Sequence, residues 1–158
     1  MLKNKIMINV EVLVDSNSWK KIISNPKKLI IESIKKFPKK YSFIDKKVNI
    51  SLLLTNDKKI KLLNKKFRNK NKPTDIISFP FFDKKNLKIN SKKKEFYLGD
   101  IVISYQELLR KNKSEYKNEF LKIFIHGYLH LLNFDHKLDK DYKIMYEIEK
   151  KIFNKIKG

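Results

Sequence analysis

Apolar and polar residues alternate along Ile6 to Val14, which predicts a first β-strand. Asn25-Pro26 marks a helix start with proline in the first turn, and that helix is predicted to end before Pro38. Val48 to Thr55 (VNISLLLT) reads as a buried strand. Asn56 or Asp57 can cap a helix that carries Ile60, Leu63 and Phe67 on one face. Residues 69–73 form a polar loop. Ile76 to Phe82 is a short apolar run closed by Pro80, which favours an edge strand or a strand end because proline donates nothing to the ladder. The Lys- and Asn-rich stretch from Asp83 to Lys94 reads as a mobile loop or hairpin, and Leu98 to Ser104 (LGDIVIS) as a further strand.

The remainder is helical in pattern. Ser104 with Glu107 three residues on is a capping-box pattern. The next helix has its best start at Ser114 and aligns Tyr116, Phe120, Phe124 and Gly127. The last begins near Asp139 or Asp141 and runs almost to the end. Its stripe of Tyr142, Met145, Ile148, Ile152 and Ile156 is predicted to face the core. Strands and helices mix without strict alternation, and no repeat or linker divides the chain. The expected fold is a single α+β domain over residues 1–158, with a small mixed sheet of about four strands, packed helices, and a metal site on a C-terminal helix and its following turn.

Composition narrows the setting. With 158 residues and 41% hydrophobic content, the chain suffices for one core. It has no run of eighteen apolar residues, so no membrane span is expected. The basic, then apolar N-terminus is interrupted by Asn9 and Glu11 and lacks a small-residue cleavage site, so it reads as a strand rather than a signal peptide. Absence of cysteine excludes disulfides and thiolate ligands and makes a bacterial-type cytoplasm the default location. The net charge of +21 attracts polyanions. It also fits drift in an AT-rich genome, since lysine dominates, alanine is absent and only Arg68 and Arg110 are arginine. An arginine kept in such a chain points to a place where a guanidinium is needed.

The chemistry concentrates in His126-Gly-Tyr-Leu-His130-Leu-Leu-Asn133-Phe-Asp135-His136, which holds all three histidines of the chain. His126 and His130 are spaced i, i+4 and lie one turn apart on one helix face. His136 reaches the same point only if the chain turns, and Asn133 suits the left-handed conformation that ends a helix. Three neutral imidazoles with one open position suit a catalytic zinc ion. The spacing matches the metzincin pattern H-E-x-x-H-x-x-G-x-x-H, but residue 127 is glycine where those proteases carry their general base. A zinc site without that carboxylate can still act on a phosphodiester. Asp135 can orient a ligand or simply form the turn. Arg68, near a helix end, can grip a phosphate with two N–H groups. Asp75 and Ser78 read as structural residues of loop and strand ends.

Three segments in order, FRNKNKPTDIISFP, LGDIVIS and HGYLHLLNFDH, resemble the signature of the bacterial YbeY endoribonuclease family. The resemblance runs from about Asn64 to Ile152 and includes MYEIEKKI; the N-terminal third shares only the order of elements. It implies one α+β domain, one zinc ion on His126, His130 and His136, and an essential Arg68. The implied activity is single-strand-specific RNA cleavage in maturation of the small-subunit (16S) ribosomal RNA 3′ end and in ribosome quality control. Ribosomal RNA and the small subunit are then the expected partners. Asn133 stands where that family usually has glycine. Two other readings stay open from the residues themselves: a zinc peptidase, and a non-catalytic ribosome-associated RNA-binding factor in which zinc is structural.

Overall fold

A computed structural model describes residues 4–158, in the order β1 (Met7–Val14), α1 (Trp19–Ile22), α2 (Pro26–Ile34), β2 (Lys47–Thr55), α3 (Asp57–Arg68), β3 (Ile76–Pro80), α4 (Lys84–Asn90), β4 (Glu95–Ser104), α5 (Gln106–Leu109), α6 (Tyr116–Leu131) and α7 (Asp139–Lys157). The four strands form one mixed sheet in the order β1-β2-β4-β3. β1, β2 and β4 run parallel, and β3 closes the edge antiparallel to β4. Pro80 therefore ends an edge strand, as its missing N–H requires. The fold is the expected single α+β domain, and no helix among the described residues is long and apolar enough to cross a membrane.

The sheet sorts its side chains by parity. Val48, Ile50 and Leu54 of β2, with Ile101 and Ile103 of β4, join the main core under α2, α6 and α7. Val102 and Ile77 point the other way, to a small second core with Ile60 of α3. Central β4 is thus buried on both faces, which explains the unbroken apolar run IVI. Its pairing with β2 skips a residue between Tyr97 and Gly99. Gly99, at φ +147°, is required there, since a Cβ would lie 2.3 Å from the Phe79 carbonyl oxygen.

Four local expectations differ from the structure. Residues 84–90 are helical rather than a loop or hairpin, because the Asp83 carboxylate caps the Asn86 amide at 2.7 Å. That capping outweighs a weak apolar pattern. The Ser104–Glu107 capping box does not form. Ser104, buried at the end of β4, donates to Asp57 at 2.7 Å, while Glu107 pairs with Arg110. The third helix is rotated from its expected face: Asn64 is buried and Phe67 is exposed. Asn64 Nδ2 donates to the Lys72 carbonyl, so a polar anchor for the following loop takes the inward position. On α7, Met145, Ile152 and Ile156 are buried as expected, but Tyr142 is exposed. The short α1, with Trp19 buried and its indole N–H donating to the Thr55 carbonyl, has no counterpart in the strand-and-helix pattern.

Candidate metal centre

Helix α6 crosses the β3–β4 edge of the sheet at Gly127. A Cβ on residue 127 would lie 2.5 Å from Ile76 Cδ1, 3.0 Å from Ser78 Oγ and 3.3 Å from Ile101 Cγ2. Ser78 Oγ donates to the Gly127 carbonyl at 3.2 Å, so the strand grips the helix at this point. Glycine here is a packing requirement, and it sets His126 and His130 along the cleft that opens beside β3. A glutamate at 127 would have to push the Ile76 and Ser78 side chains aside. Gly127→Glu is expected to cost roughly 2–3 kcal/mol by overpacking, which a helix-propensity gain of under ~1 kcal/mol does not offset. Thermal unfolding of the chelated variant checks this; an unchanged midpoint would show that α6 can lift from β3 freely.

The helix ends as its sequence predicts. Its last residue is Leu131, Leu132 follows as cap, and Asn133 adopts φ +69°. Phe134 N then donates back to the Leu129 carbonyl at 3.0 Å, which closes the turn. Asn133 also does what glycine cannot: its Nδ2 donates to the Phe82 carbonyl at 3.0 Å and ties the turn to the segment that follows β3. The turn returns His136 to the other two rings. One ligand nitrogen from each of His126, His130 and His136 lies within 4.8 Å of the others, so the cluster is able to hold a metal ion.

The hydrogen-bond partners define how two of the rings present themselves. His126 Nδ1 lies 2.5 Å from Glu149 Oε1, and His130 Nδ1 lies 2.9 Å from the Phe134 carbonyl. Both partners only accept, so each neutral ring carries its hydrogen on Nδ1. The bare Nε2 atoms then face each other at 3.0 Å. Two lone pairs so close repel, and a shared cation relieves that repulsion. Nitrogens each about 2.1 Å from one tetrahedral ion would stand roughly 3.4 Å apart, close to what is seen. Burial, and next the neighbouring His126, pull the His130 pKa down to about 4. His130 is therefore uncharged and free to bind metal throughout the neutral range.

The triad lines a cleft of about 780 Å³. Arg68, the last residue of α3, stands in its wall with Lys70 and Lys137. Asn69 at φ +59° ends α3 immediately after Arg68, and Asn64 pins the loop that follows. Asp135 lines the same cleft, but its Oδ1 accepts from the His136 backbone N–H at 2.7 Å and its Oδ2 approaches Lys137 at 3.9 Å. It holds the turn's backbone; the carboxylate on an imidazole is that of Glu149. Asp75 and Ser78 also face the cleft, Ser78 through its bond to α6. Glu149 was not among the residues singled out from the sequence. It lies 23 residues from His126, and only its place in the stripe of α7, between Met145 and Ile152, could have flagged a carboxylate turned inwards.

Comparison with known proteins is consistent over nearly the whole chain. The profile of the family Endoribonuclease YbeY matches residues 13–157, which extends the likeness well before Asn64. Over 155 residues the chain is 50% identical to the endoribonuclease YbeY of Pelagibacter ubique, covering 96% of this chain and 97% of that protein. It is 36% identical over 160 residues to the endoribonuclease YbeY of Persephonella marina, covering 98% and 94%. Among solved structures, the solution structure of a Thermotoga maritima protein matches with a TM-score of 0.53 at 25% identity, over 94% of this chain and 89% of that one.

Proposed function

The chain belongs to the YbeY endoribonuclease family, and on that premise we propose that it is a zinc-dependent, single-strand-specific endoribonuclease acting in 3′-end maturation of small-subunit (16S) ribosomal RNA and in ribosome quality control. The observation that carries the reading is the convergence, in one cleft, of three imidazoles and the Arg68 guanidinium. His126, His130 and His136 are the proposed ligands of one zinc ion per chain. The facing Nε2 atoms and the uncharged state of His130 support that choice. The ion would act as a Lewis acid on a phosphoryl oxygen and make water an effective nucleophile near neutral pH.

The chain's own residues supply the rest. Arg68 presents a planar fork able to hold two non-bridging phosphate oxygens and offset charge gathering on them. Lys70 and Lys137 flank it and draw the RNA backbone into the cleft. Ribosomal RNA within the small subunit is the proposed partner, and a cytoplasmic location follows from it. The peptidase reading is disfavoured by Gly127, since the glutamate those enzymes use as base is missing there. The structural-zinc reading is disfavoured because the cluster offers three ligands among the described residues, where a closed structural site takes four.

Metal removal provides the test. Chelation should stop single-turnover cleavage of a single-stranded RNA, and zinc should restore it. Because the ligands tie α6 to the turn after it, chelation should also raise hydrogen exchange across residues 117–153 more than in the sheet. Cleavage that survives chelation, or equal protection in both states, would overturn the reading.

A further inference from the structure

Glu149 occupies a place on α7 that its neighbours give to apolar side chains. Met145, one turn before, is 1% exposed, and Ile152, on the same stripe, is 0% exposed. The carboxylate is turned inwards to His126, and its side chain is 25% exposed. Among the described residues no lysine or arginine pairs with it, and the His126 ring is its hydrogen-bond partner. A carboxylate set in such a stripe loses hydration, a cost that a leucine there would not incur. Stapling α6 to α7 is therefore not a sufficient reason for an acid at this position.

We propose that Glu149 is a positioning residue of the metal centre: by accepting the Nδ1 hydrogen of His126, it fixes the tautomer that turns a bare Nε2 toward His130 and His136, and it strengthens that nitrogen as a ligand. The inference rests on the metal reading above. A neutral imidazole without such a partner divides between two tautomers, and the wrong one points an N–H into the site, 3.0 Å from His130 Nε2. His130 has its own fixed acceptor in the Phe134 carbonyl. Glu149 does for His126, from a different helix, what the turn does for His130. Its negative charge also offsets half of the two positive charges that a zinc ion would bring to three neutral rings. Carboxylate partners of this kind change metal affinity by about 10–100-fold.

The experiment uses the full-length protein and its Glu149→Ala and Glu149→Gln variants. Zinc affinity is measured by competition with a chelator, and the His126 tautomer by long-range 1H–15N NMR on the chelated proteins. Glu149→Ala should weaken zinc binding by about 10–100-fold and convert His126 to a tautomer mixture. Glu149→Gln, whose amide oxygen still accepts but carries no charge, should lose affinity by a smaller factor. If the alanine variant does not fold, the near-isosteric glutamine variant decides alone. A purely structural staple would lower the unfolding temperature and leave affinity and tautomer at wild-type values, which would overturn the proposal. Wild-type protein that binds no zinc would overturn the metal reading and this inference together. Wild-type protein that binds zinc, with variants binding it equally tightly, would overturn only the role of Glu149.

Discussion

His130→Ala is expected to abolish both zinc binding at micromolar metal and RNA cleavage, while leaving the apo fold close to wild type. His130 is the middle ligand: its Nε2 lies 3.0 Å from that of His126, and the turn that returns His136 starts just after it. Without it two imidazoles remain, too few for a stable zinc site. The stability cost should be small, because the substitution removes one ring-to-carbonyl bond at 2.9 Å. Such a bond is worth about 1 kcal/mol net, and alanine is the better helix former. Circular dichroism and thermal unfolding of the chelated proteins should nearly coincide. Zinc retained at wild-type affinity would remove His130 from the ligand set.

Arg68→Lys is expected to lower turnover by on the order of a hundredfold, the scale for losing one charge-stabilising donor, although it keeps the charge. An ammonium on a flexible stem does not hold two phosphate oxygens at once. RNA affinity should barely change, because Lys70, Lys137 and many other lysines still supply the salt-dependent attraction. Losing a contact made chiefly in the transition state appears in the rate of the bound complex rather than in binding. Single-turnover cleavage, with equilibrium binding measured separately at fixed salt, checks both halves. A wild-type cleavage rate would make Arg68 a surface residue; slow cleavage caused only by weak binding would make it a docking residue.

What was legible in the sequence was local. The histidine spacing could be read because a helix turn and a left-handed residue are properties of eleven consecutive positions, and Asn133 at φ +69° carries them out. The four strands are legible because β1 alternates apolar and polar residues while β2, β3 and β4 each carry a short apolar run. Arg68 stood out by the rarity of arginine, a signal of composition rather than of place. Features set by distant contacts were not legible. Glu149 meets His126 only after α7 packs on α6. The rotation of α3 follows from the Asn64 side chain reaching Lys72, which no periodicity encodes. The local pattern makes Ser104 a cap, but Asp57, 47 residues away, takes its hydroxyl. The helix at residues 84–90 is illegible for the opposite reason: its two apolar residues, Leu87 and Ile89, are too few to show a face, and capping decides it.

X-ray absorption at the zinc K edge, with metal content measured on the same purified sample, tests the central claim most directly. The expected result is one zinc per chain with three imidazole nitrogens at about 2.0–2.1 Å and one oxygen ligand from solvent. A preparation that takes up no zinc, or a shell closed by a fourth protein ligand, would contradict a catalytic metal centre on His126, His130 and His136.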